Sequence, residues 1–151
     1  MNKKIGVLVS GIMCLMLSLA GCSSRETSLQ VTDKDSKTEL SVDVVDTKSD
    51  CDLKSQKNGF VIDTCDGKVY GSFMSVSDAE NLQANSFGSS EYKVVTIGDS
   101  TDGYSCMLDG DYVHVFKPAD SNVYICLSSS DSESDIYMAE ENVSFAVNTK
   151  K

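Results

Sequence analysis

The chain has a single proline, and aromatics make up only 7% of it. That excludes a collagenous or proline-rich repeat. Histidine is as scarce: His114 is the one imidazole in 151 residues. A set of histidine metal ligands therefore cannot form, and only one side chain is of the type that does acid–base work near neutral pH. Positive charge is also short, with 13 Lys and Arg against 23 Asp and Glu and a formal charge of -10. Lys3 and Lys4 fall in the leading segment, so the rest carries 11 cations against 23 acids, a formal -12. Such a surface repels phosphate backbones and anionic headgroups, which argues against a nucleic-acid partner. No G-x-S-x-G elbow, phosphate-cradling glycine loop or H-E-x-x-H motif occurs, and no cofactor, metal site or catalytic residue is expected. What remains is an ordinary globular composition, 40% apolar and 24% charged, of a length that suits one domain.

Long apolar runs are missing too. The longest, Ile5 to Ala20, falls short of the roughly 20 residues that cross a bilayer comfortably. With Lys3 and Lys4 before it, the run fits the hydrophobic region of a secretory signal peptide. It closes in Leu19-Ala20-Gly21-Cys22, which resembles the lipobox of bacterial lipoproteins. The resemblance implies a diacylglyceryl group on the Cys22 sulfur and cleavage between Gly21 and Cys22. Small residues before the cleavage point let a peptidase reach the backbone, whereas Cys14 follows the bulky Met13 and makes a poor lipobox. Two acyl chains, at about 0.8 kcal/mol per buried methylene, suffice for stable anchoring. The expected location is the extracytoplasmic face of a cell membrane, held there by lipid on Cys22.

Residues 1–21 thus read as signal peptide, 22–40 as the lipidated N-terminus and a flexible tether, and 41–151 as one β-rich domain. The tether is polar and mixed in charge, without apolar periodicity. Its "DKDSKTE" is no EF-hand loop, because Thr38 and Val44 stand where that loop needs Gly and Glu.

Within the domain, residues 40–45 suggest an edge-like strand. "GFVIDTCDGKVYGSF" and "GYSCMLDGDYVHVF" each place Asp-Gly between two apolar runs, the pattern of a hairpin with a type I′ turn. The first turn, centred on Asp66-Gly67, pairs Phe60 with Phe73 and Ile62 with Gly71. The second, at Asp109-Gly110, sets Cys106 opposite Val113. Ser77 and Glu80 form a capping box for a helix from Asp78 to about Ser86. "SSSDSESD" reads as a solvated loop, and Val143, Phe145 and Val147 alternate with smaller residues as a half-buried strand. The expected fold is α+β, mainly antiparallel sheet, with about seven short strands and one short helix.

Besides Cys14 and Cys22, four cysteines remain: Cys51, Cys65, Cys106 and Cys126. In an exported domain the even count favours at least one disulfide, although buried thiols are the alternative. Cys51 with Cys65 is the candidate pair. A three-strand meander would hold Cys106 and Cys126 about 10 Å apart, two strand spacings, beyond the roughly 7 Å that a disulfide spans. His114, between Val113 and Val115, reads as a sheet residue, and His114→Ala is expected to change stability only slightly. The leading functional expectation is a lipid-anchored binding or accessory domain at the cell surface, with an envelope protein or small ligand as partner. A small surface hydrolase with dispersed catalytic residues and a structural envelope component are the alternatives. A cleft joining His114 to an acid and a serine would favour the hydrolase, and an exposed apolar patch or open sheet edge would favour partner binding.

Overall fold

The computed structural model describes residues 28–44 and 51–148. Within them lie β1 (Ser28–Thr32), β2 (Glu39–Val44), β3 (Asp52–Gln56), β4 (Gly59–Asp63), β5 (Lys68–Met74) and α1 (Val76–Ser86). They are followed by β6 (Lys93–Val94), β7 (Thr101–Leu108), β8 (Asp111–Lys117), β9 (Tyr124–Ser129), α2 (Glu133–Asn142) and β10 (Val143–Val147). The fold is α+β and mainly antiparallel sheet, as expected, but with ten strands and two helices among the described residues. Seven strands form one sheet in the order β3-β4-β5-β9-β8-β7-β6, and three form a second in the order β1-β2-β10.

Both hairpins form, by different means. At Asp109-Gly110 both residues adopt positive φ, 53° and 93°, as a type I′ turn requires, and Cys106 pairs with Val113. The first hairpin is offset by two residues from expectation: Phe60 pairs with Gly71 and Ile62 with Val69. The connection is longer because Thr64 N bonds to Gly67 O at 2.9 Å, and Thr64 Oγ1 accepts from Gly67 N at 3.0 Å. An offset of two leaves every side chain on its expected face. Gly67 serves close approach here, since a Cβ on it would come within 2.5 Å of the Asp135 carboxylate.

Three other expectations are corrected. Residues 28–40 carry β1 and the turn into β2, not a tether; Leu29 and Val31 alternate inward, and β1 pairs along its length with β2. Asp33 closes that turn, accepting from Ser36 N at 3.0 Å. Burial alone would raise the Asp33 pKa, but the bonds from Ser36 and from the Asp35 backbone outweigh it and hold the carboxyl below its usual range. Second, β2 is a central strand, because the distant β10 covers its other edge. Third, the stretch read as a solvated loop runs from the end of β9 into the start of α2: the Ser132 side chain caps the helix by accepting from Ser134 N, with Glu133 and Asp135 in its first turn. Helix α1 begins one cap earlier than expected, on Ser75, which accepts from Asp78 N at 3.1 Å.

The two faces of the large sheet have separate cores. One face, bearing Phe60, Ile62, Val69, Phe116, Ile125 and Leu127, packs against the small sheet and α2. Phe145 of β10 joins the layers, its ring centroid 6.0 Å from Phe60 and 5.1 Å from Phe116. The other face carries Tyr104, Cys106, Val113, Val115 and Cys126 under α1, with Tyr104 Oη donating to Ala79 O at 2.6 Å. Fully burying each large apolar side chain contributes about 1.5–3 kcal/mol. Among the described residues no helix is long and apolar enough to cross a membrane.

Candidate functional site

Leu19, Ala20, Gly21 and Cys22 lie outside the described residues. The remaining residues singled out in the sequence fall in three places. Cys106 on β7 and Cys126 on β9 lie on the α1 face and are free thiols, with β8 between them. Burial pushes both thiols up, Cys126 to about 12, so they are poor nucleophiles. Cys51 is buried just before β3, and Cys65 is exposed in the β4–β5 connection with its Sγ 3.6 Å from Met138 Sδ. Asp52 pairs with Asp63, so Cys51 stands at the same end of this hairpin as Cys65.

His114 is the third place, and it is fully buried. Strand alternation turns it toward α2, where residues four and three apart share one helical face. Its Nδ1 lies 2.5 Å from Glu140 Oε1 and its Nε2 3.3 Å from Glu133 Oε1. The Tyr137 ring stands edge-on to the imidazole, 4.8 Å between centroids. Lys93 Nζ of β6 lies 3.4 Å from the other Glu133 oxygen, and Tyr137 Oη donates to Glu133 Oε1 at 3.4 Å. Burial, and next the Glu133 carboxylate, raise the Tyr137 phenol above its ordinary range. Each imidazole nitrogen thus faces a carboxyl oxygen of α2.

Ser105 is the cross-strand neighbour of His114. Its hydroxyl is buried and has no hydrogen-bond partner among the described residues. Histidine, acid and serine do meet, but not as a hydrolase needs them. Both imidazole nitrogens face carboxylates, which leaves neither to take the serine proton, and His114 has no open approach. No group of three or more His, Cys, Asp or Glu among the described residues is arranged to hold a metal ion.

Beside this cluster is an open groove of about 450 Å³, lined by residues 94–98, from the end of β6 into the turn after it, and by Tyr137, Glu140 and Glu141 of α2. β6 ends the large sheet. Val94 is 79% and Tyr137 40% exposed at its margin. Val95 N donates to Gly103 O at 2.9 Å. Backbone groups alternate along a strand, so Val94 of β6 directs its N–H and C=O away from β7. The open edge was anticipated only as a type of feature. Its location depends on α2, which the serine- and acid-rich loop reading missed, although Ser132 before Glu133 and Asp135 was a legible cap signal.

These features define a two-sheet α+β domain with an edge-strand groove walled by a helix. No family model, curated protein or solved structure matches the chain.

Proposed function

We propose that the protein is a lipid-anchored, extracytoplasmic binding domain that engages its partner in the groove between the β6 edge and α2. The observation that carries this reading is the combination of the short β6 edge, unpaired among the described residues, with an exposed tyrosine on the adjoining helix. An open edge is a template for strand addition, and a helix face beside it supplies side-chain selectivity. The lipobox resemblance at Leu19–Cys22 supports the membrane attachment. The hydrolase alternative finds less support, since His114 is enclosed by carboxylates. The test is photo-crosslinking in membranes from cells expressing the full chain, with the probe residue at position 141 or, as control, at the exposed Lys57 of the β3–β4 turn. A discrete adduct at 141 alone is the expected result; equal labelling at both positions, or none at 141, refutes the groove as the binding surface.

A further inference from the structure

We infer that Cys51 and Cys65 are a disulfide-forming pair, whose bond fastens β3, the strand that ends the large sheet, to the β4–β5 connection. Register brings the two together. Strands β3 and β4 are antiparallel with Asp52 opposite Asp63, so one step further sets Cys51 opposite Thr64, with Cys65 the next residue. A ladder spacing of about 5 Å and a rise of about 3.4 Å put the two Cα atoms roughly 6 Å apart. A disulfide takes Cα separations of about 4.4 to 6.8 Å.

Both side chains also turn to the α2 side of the hairpin. Cys51 continues the alternation of Leu53 and packs in the core with Ile62 and with Ile136 of α2. Alternation carried past Asp63 would turn Cys65 to the opposite face. The turn closed by Thr64 and Gly67 redirects it, and its Sγ lies 3.6 Å from Met138 Sδ on the same helix. Cys106 and Cys126 lack this arrangement, since β8 separates their strands. The pair shares no residue with the groove and stands apart from the binding reading.

Exposure sets the order of reaction. Cys65 is exposed and Cys51 buried, so the Cys65 thiolate is the one that reaches an outside disulfide. It attacks one sulfur of that oxidant, expels the other as a thiolate and forms a mixed disulfide. The Cys51 thiolate then attacks the Cys65 sulfur and expels the second half of the oxidant. Two protein thiols lose two protons and two electrons, and the oxidant's disulfide takes up both to become two thiols. An extracytoplasmic location, as proposed above, is where such oxidants act.

The test equilibrates the full-length chain, in neutral detergent, with reduced and oxidised glutathione and maps its tryptic peptides without reduction. Cleavage after Lys48, Lys54, Lys57 and Lys68 separates residues 49–54 from 58–68, so the bond appears as these two peptides joined, less two hydrogens. The ratio of joined to open pair should be higher by about tenfold or more in native buffer than in denaturing urea. Cys51→Ser should instead leave glutathione on Cys65, whereas Cys65→Ser should leave Cys51 unmodified in the folded chain. A wild type that keeps glutathione on Cys65 without the joined peptides, or an equal ratio in urea, overturns the pairing. Glutathione on Cys51 in Cys65→Ser, as readily as on Cys65 in Cys51→Ser, overturns the order of attack.

Discussion

At the scale of the residue, His114 departs most from what its sequence neighbours suggest. Between two valines it reads as an unremarkable strand residue whose loss costs little. In the fold it is fully buried, and its partner Glu140 has a side chain only 11% exposed. Removing the ring leaves the buried Glu140 carboxyl without this hydrogen-bond partner, at about 1–3 kcal/mol, and opens a cavity besides. His114→Ala should therefore lower unfolding free energy by about 3 kcal/mol, more than the slight change expected from sequence. Urea denaturation checks this. In the Glu140→Ala background the same change should cost less, since no carboxyl is left without its partner. A cost for His114→Ala below about 0.5 kcal/mol, the level of an ordinary surface change, would contradict the pairing.

The elements follow from short-range chemistry where a turn or cap dictates them. Helix α2 is the instructive case, because its position builds both the His114 cluster and the groove wall. Its Ser132 cap satisfies a backbone donor of the first turn, and loss of such a cap costs about 1 kcal/mol. Ser132→Ala should lower stability by that amount and raise amide exchange selectively in α2. Equal exchange across the whole molecule would show that the cap does not hold this helix. Gly71 shows a different constraint. A Cβ there would come within 2.2 Å of the buried Phe60 ring, so Gly71→Ala must displace a core aromatic. Overpacking of this kind costs about 1–3 kcal/mol, and calorimetry should record a lower Tm.

For the whole molecule, the α1-side core stores acids in their neutral form. Burial raises Cys106, Tyr104 and Tyr124, with Cys126 pushed up to about 12 from 9.0. The folded state keeps these protons while the unfolded chain releases them, so the folded state binds more protons above pH 9. Stability should be full below that pH and fall steadily as pH rises from about 9 toward about 12. Urea midpoints at pH 8, 9.5 and 11 measure the decline, and Cys126→Ala should make it shallower; an unchanged slope in that variant would contradict the thiol's part in it. Membrane attachment belongs to this scale too. Cys22→Ala should leave an unprocessed precursor, seen by intact mass. An unmodified Cys22, or retention of residues 1–21 in the wild type, would overturn the lipobox reading.

The division between what local sequence determined and what the tertiary structure decided follows the range of the forces involved. The Asp109-Gly110 turn, the register at Cys106 and Val113, the inward alternation of Val143 and Phe145 and the approximate span of α1 were all legible. Positive φ, period-two alternation and capping act within a few residues. The order of strands was not legible: β5 pairs with β9, and β2 lies between β1 and β10. The β5–β9 and β2–β10 pairings join segments tens of residues apart, and they arise because apolar faces must cover one another, a condition no short window records. The strand at residues 28–32 is a local hairpin partner of β2, marked in a polar stretch by only two apolar residues, Leu29 and Val31. The candidate site inherits the same dependence. His114 and the acids of α2 are ordinary in sequence, and docking of α2 over β8 makes them a buried cluster beside an open edge.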